Sequence, residues 1–112
     1  MAQYLVIGGA CGVGSAVVSA LRQRGDTVIA SVLNDKESTA LAATHNDVRS
    51  FHLDLGQPDT VAAAISAAIG TERLDGVAVC AALAPIGVLE TSTLADLAKT
   101  LDVNVVSALA IF

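Results

Sequence analysis

Aromatic side chains are scarce: two Phe, one Tyr and no Trp, 3% of a 112-residue chain that is 54% hydrophobic. The core must then be built from Ala, Val, Leu and Ile, which suits helices packed closely on a parallel sheet whose strands are apolar on both faces. Cations are few as well. Six Lys and Arg stand against eleven Asp and Glu, for a net charge of −5. Spread thinly, they exclude nucleic acid as a partner, because phosphate binding needs clustered positive charge. The two cysteines, Cys11 and Cys80, support neither a disulfide framework nor a zinc site, and no metal site is expected. Long apolar runs are lacking despite a mean hydropathy of +0.66. The longest, 76–89, is broken by Pro85 and Gly87 and is too short to cross a bilayer. With no basic leader or cleavage pattern, the expectation is a cytoplasmic protein with no membrane partner. The length suits one domain with a real core.

What is present is an alternation of strands and helices. The run Tyr4 to Ile7 breaks into Gly8, Gly9, Gly12 and Gly14, and Val13, Val17, Ala20, Leu21 and Arg24 then recur at helical spacing up to Gly25, placed as a C′ glycine should be. Thr27 to Val32 is β-branched and apolar, a second strand; residues 34–37 turn the chain into a short helix over 38–44. A third strand covers 48–53 and ends in Asp54, and Pro58 opens a helix running to about Ile69, where a proline sacrifices no needed N–H. A fourth strand, 77–79, ends at Cys80-Ala81-Ala82. Thr93 with Asp96 three residues on signals a helix start, and Leu94, Leu97, Ala98, Leu101, Val105 and Leu109 form an apolar face over almost five turns. Four strands alternating with helices predict an α/β fold, a Rossmann-like doubly wound parallel sheet of order 3-2-1-4.

The first turn carries the chemistry. Glycines let a backbone bend tightly beside a phosphate, and the helix that follows offers unpaired N–H groups and the positive end of its dipole. Read as G-x-x-x-G-x-G, the pattern is Gly8, Gly12 and Gly14 without exception; read as G-x-G-x-x-G, it is Gly9, Cys11 and Gly14, and Cys11 breaks it. A glycine turn that binds nothing is the plainer alternative.

Further residues agree in spacing with a known pattern. Asp54-Leu55 follows the third strand, Val79-Cys80-Ala81-Ala82 the fourth, and Asp102-Val103-Asn104-Val105 lies in the last helix. With the glycines, these make residues 3–112 similar to the N-terminal part of the short-chain dehydrogenase/reductase family, which carries T-G-x-x-x-G-x-G, an Asp-hydrophobic pair, N-N-A-G and a helical Asn. The resemblance implies NAD(P)-dependent hydride transfer between a nicotinamide and a carbonyl or alcohol. It implies that Gly8, Gly9, Ala10, Cys11, Gly12, Val13 and Gly14 line the pyrophosphate. Asp54 would accept from the adenine amino group, Leu55 would pack on the ring, and Cys80, Ala81 and Ala82 would pass beside the adenosine ribose. Asp54 has the alternative of a helix-capping or solvated carboxylate.

The chain departs from that pattern at Ile7, where the family has Thr, at Val79 and Cys80, which replace both asparagines, and at Ala82, which replaces the glycine. At the end of the second strand an acidic residue would hold the ribose hydroxyls and select NAD, and an Arg would favour NADP. Val32 and Leu33 stand there, with Asn34, Asp35 and Lys36 close by; lacking the carboxylate, the site leans to NADP over NAD.

Of the family's catalytic groups only the helical Asn has a counterpart, Asn104, as a proton-relay position. Its alternative is an amide that satisfies backbone groups at a helix bend. The family's Ser and Tyr-x-x-x-Lys have none: the sole Tyr is Tyr4, and neither Lys36 nor Lys99 follows a Tyr at that spacing. His45 and His52 read as structural, and Cys11 with Cys80 as small packing groups or, alternatively, a redox pair. An end at Phe112 inside an apolar helix predicts a truncated chain, a fragment or half of an assembly. Its exposed strand edge and C-terminal helix would favour a homo-oligomer, and it would bind dinucleotide weakly without turnover. A non-catalytic dinucleotide sensor and a purely structural or interaction module are the rival readings.

Overall fold

The computed structural model describes residues 2–10, 12–85 and 87–112. Four strands, β1 (Gln3–Ile7), β2 (Thr27–Val32), β3 (Arg49–His52) and β4 (Gly76–Val79), form one parallel sheet in the order β3-β2-β1-β4. Leu5 stands opposite Ile29 on one side and Val77 on the other. Because successive side chains point to opposite faces, β1 and β2 feed two cores. Val6, Val28, Ala30 and Val32 pack with Val18 and Leu21 of α1 (Gly12–Gln23) and Leu41 of α2 (Asp35–Thr44). Leu5, Ile7 and Ile29 pack with Leu53, Leu55 and Val61, the first residue of α3 (Val61–Ile69). Helices on both faces of a parallel sheet make this the doubly wound, Rossmann-like arrangement that the alternation predicts.

The helices differ from expectation at their ends. α2 begins three residues before Ser38, because residues 34–37 form a cap and its first turn. Asn34 Oδ1 accepts from the Glu37 N–H at 2.9 Å, and Glu37 Oε1 reaches back to the Leu33 N–H at 3.0 Å, a reciprocal cap of the capping-box kind. Pro58 opens a single 3₁₀ turn, Pro58–Thr60, before α3.

The last helix is interrupted. α4 (Leu94–Leu101) passes into a π-helical stretch, Asp102–Val106, and then α5 (Ser107–Ile111). Ser107 is fully buried and its hydroxyl donates to the Leu55 carbonyl oxygen. Val103, Ala110 and Ile111 pack on the second core, while Leu94 and Leu109 remain 83% and 74% exposed. A π-bulge shifts the helix face by one residue, which brings one side of the segment onto the sheet and leaves the predicted apolar stripe in solvent. Among the described residues, no helix is long and apolar enough to cross a membrane.

An ion-pair clamp ties the amino ends of the outer strands. Arg49 holds Glu72 through both guanidinium nitrogens at 2.9 Å, and Gln3 donates to the same carboxylate. These bonds hold the Glu72 carboxyl below its usual range, the Arg49 bond first. The clamp is therefore present above the unfolded carboxyl pKa and is lost as pH falls through the folded one. At the carboxyl ends of the strands the described residues form the His52–Asp35 contact but no two-pronged clamp of this kind.

Candidate functional site

The turn between β1 and α1 is assembled from backbone. The Ile7 carbonyl oxygen accepts from the N–H groups of Cys80 and Ala81, at 2.8 and 3.1 Å, which ties the end of β4 to the end of β1. Gly8 follows with φ +83, and a Cβ there would stand 2.7 Å from Ala81 Cβ. Gly14 permits a closer approach: a Cβ on it would lie 1.7 Å from the Gly8 carbonyl oxygen. Gly12, with φ +45, has nothing within 4 Å of the place a Cβ would take. Gly12 is thus exposed at the N-terminus of α1, where the first N–H groups of a helix have no intrahelical partner and no acidic residue occupies the first turn. Such a helix end attracts an anion.

Beside this turn lies an open cleft of ≈ 510 Å³ across the carboxyl ends of the strands. Gly8 lines it from just past β1, Cys80, Ala81 and Ala82 from past β4, Leu33 from past β2, and Asp54 and Leu55 from past β3. These expected site residues therefore meet in one cavity. Gly9, Ala10, Gly12, Val13 and Gly14 belong to the neighbouring turn and the start of α1, and Cys11 lies outside the described residues. Asn34 caps α2 at the cleft's edge. Asp54 is held in its own turn, Oδ1 accepting from the Gly56 N–H at 2.8 Å and Oδ2 from Gln57 Nε2 at 3.2 Å, and ionised oxygens retain capacity for further donors.

Asn104 sits in the π-helical stretch and grips the chain after β4. Its Oδ1 accepts from the Leu83 N–H at 2.8 Å and its Nδ2 donates to the Leu83 carbonyl oxygen at 2.7 Å. The amide does satisfy backbone groups, but those of the cleft wall rather than of its own helix. The histidines bond to structural neighbours, His45 Nε2 with Ser19 Oγ and His52 Nε2 with Asp35 Oδ1, each at 3.0 Å.

Three polar side chains that motif reading passes over also line the cleft: Ser31, Glu37 and Lys99. Ser31 offers a faint signal as the one hydroxyl inside the apolar end of TVIASV. Glu37 offers the Asn-x-x-Glu cap spacing. Lys99 stands one turn before Val103, and its place at the cleft follows only from the packing of α4.

The family model described as enoyl-(acyl carrier protein) reductase matches residues 8–112. The chain belongs to the short-chain dehydrogenase/reductase family. Similar solved structures carry the same fold. A blue fluorescent protein from a metagenomic library, in complex with NADPH, superposes with a TM-score of 0.88 at 23% identity, over 98% of this chain and 48% of that one. A short-chain dehydrogenase/reductase from Burkholderia multivorans with bound NADP gives 0.81 at 23%, over 98% and 50%. One from Mycobacterium ulcerans gives 0.82 at 28%, over 98% and 43%. The chain thus spans about half the length of these family structures. No curated protein matches it.

The Asn104 bonds yield a prediction. Asn104→Ala leaves both Leu83 backbone groups without their protein partner, a loss of ~2 kcal/mol at about 1 kcal/mol per bond. Amide exchange at Leu83, followed by NMR, then rises by roughly 5–30-fold, while Asn104→Asp, which keeps the acceptor, gives a smaller increase.

Proposed function

We propose that residues 1–112 form the NAD(P)-binding domain of an oxidoreductase that moves hydride between a nicotinamide and a carbonyl or alcohol. The observation that carries this reading is the glycine turn at the start of α1, lying beside a cleft that runs across the strand ends to Asp54. A phosphate pair suits the first and an adenosine the second. In this assignment Gly8, Gly9, Ala10, Gly12, Val13 and Gly14, with Cys11 by sequence, surround the pyrophosphate. Asp54 accepts from the adenine amino group and Leu55 covers the ring. Cys80, Ala81 and Ala82 pass beside the ribose, whose outer edge faces Leu33 and Asn34. The bound nicotinamide would supply the hydride chemistry. Asn104 holds the cleft wall through Leu83, and the relay role that the family implies for it is part of this proposal.

We expect the chain alone to bind and not turn over. Its one tyrosine, Tyr4, lies in β1 with its ring against Gly76 and 5.9 Å from the Arg24 guanidinium, so it is no candidate for a proton donor to substrate. Calorimetry with NADP and NAD should return a Kd between about 10 μM and 1 mM. No heat and no thermal shift with either form overturns the reading in favour of a structural module; a Kd far below 1 μM without turnover favours a dinucleotide sensor.

Between the two forms we favour NADP, since Val32 and Leu33 leave the end of β2 without a carboxylate and related structures hold NADP or NADPH. Glu37 acts in the opposite direction. Its carboxylate lines the cleft next to Leu33 and repels a 2′-phosphate. Glu37→Gln should therefore shift the NADP-to-NAD affinity ratio towards NADP by about tenfold, ~1.4 kcal/mol, and an unchanged ratio removes Glu37 from the selection.

We also propose self-association. Among the described residues β4 pairs only with β1, Val77 and Val79 are over a third exposed, and Leu94, Leu101, Leu109 and Phe112 are more than half exposed. An open edge beside an apolar face recruits a second copy. Light scattering after size exclusion should show a concentration-dependent dimer or larger species, and a monomer at high concentration refutes it.

A further inference from the structure

We propose that Ser31 binds the sugar of the nucleotide and couples it to the glycine turn, an inference that rests on the nucleotide site proposed above. Ser31 is 3% exposed, and it is the only polar side chain in the buried part of β2. It holds the start of the turn twice: its Oγ accepts from the Gly8 N–H at 2.9 Å, and its carbonyl oxygen from the Gly9 N–H at 3.1 Å. A hydroxyl has one proton to donate and two lone pairs. Among the described residues Ser31 Oγ makes no bond besides that from Gly8, so its proton is uncommitted, and the side chain lines the cleft. A buried donor left unmatched is costly, and a ligand oxygen in the cleft is its natural acceptor.

The sheet order says which part of the ligand that is. Asp54 and Leu55 stand at the end of β3, the glycine turn at the end of β1, and β2 lies between them. A nucleotide with its base at β3 and its phosphates at β1 has its sugar over β2. There Val32 and Leu33 are apolar, Glu37 Oε1 already accepts from the Leu33 N–H, and Ser31 is the neutral donor buried within the strand. One oxygen then links both ends of the site: it receives the Gly8 proton and gives its own to a ribose oxygen.

The test is a calorimetric cycle with adenosine monophosphate and its 2′,3′-dideoxy analogue, on the unaltered chain and on Ser31→Ala. The expected result is a loss of about tenfold for the ribose ligand and less than twofold for the dideoxy one. Equal losses for both ligands show a merely structural residue and overturn the inference, as does no loss for either. If the unaltered chain binds neither ligand, nor NADP nor NAD, the site reading itself falls and takes this one with it. Should Ser31→Ala fail to fold, the unaltered chain still decides by NMR. The Gly8 amide resonance should shift with the ribose ligand and remain nearly in place with the dideoxy analogue; equal shifts overturn the inference.

Discussion

The approach of Gly14 to Gly8 governs the open end of the sheet. A Cβ on Gly14 would lie 1.7 Å from the Gly8 carbonyl oxygen, a distance no side chain can occupy, so α1 seats directly on the end of β1. That seating sets where the helix N-terminus points and how far it stands from β4, whose end is fastened to the Ile7 carbonyl. Ala81 and Ala30 continue the same economy, since they are the side chains that a Cβ on Gly8 or Gly9 would strike at 2.7 Å. With four glycines from Gly8 to Gly14, this corner is mostly backbone. An anion bound there would rely on the helix dipole and backbone amides rather than on a cation. A chain with a net charge of −5 and six scattered Lys and Arg can still hold a phosphate by this means.

Four polar side chains at the cleft follow a second rule: each is bound to a backbone group. Glu37 takes the Leu33 N–H, Asp54 the Gly56 N–H, Ser31 the Gly8 N–H, and Asn104 both groups of Leu83. These bonds close the chain ends that follow β2, β3 and β4 and that open α1. The residues that could touch a ligand are therefore the same ones that shape the cavity. Substituting any of them alters geometry and chemistry together, and ligand analogues separate the two effects better than mutations do.

The sheet was legible because its signals are local. Tyr4 to Ile7 and TVIASV are short apolar runs bounded by turn residues, and the alternation of strand and helix admits few topologies. The glycine turn was legible because Gly8, Gly12 and Gly14 lie within seven residues. The rest depends on contacts far apart in sequence. Ser31 meets Gly8 across 23 residues, and Ser107 meets Leu55 across 52. Leu94, Leu97, Leu101, Val105 and Leu109 keep their helical spacing straight through the π-helical stretch, so periodicity gives no hint of a bulge. The bulge accompanies the tertiary ties of Asn104 and Ser107. Helical spacing likewise implies burial, whereas the sheet takes Val103, Ala110 and Ile111 instead.

Ile7 shows why a motif departure is a poor measure of a site. Counted along the chain, Ile in place of Thr is a lost hydroxyl beside the glycines. In the fold, Ile7 is fully buried against Leu5 and Ile29 in the second core, a gain of about 1.5–3 kcal/mol for a side chain of that size. Its carbonyl, which any residue would supply, carries the bonds to Cys80 and Ala81. The hydroxyl at that corner comes from the adjacent strand, where Ser31 Oγ reaches the Gly8 N–H at 2.9 Å. A hydrogen-bonding group need only arrive at the right point in space, and neighbouring parallel strands offer two backbones from which to send it. The turn at Gly8 is therefore anchored through β2 instead of β1, by a residue that also lines the cleft.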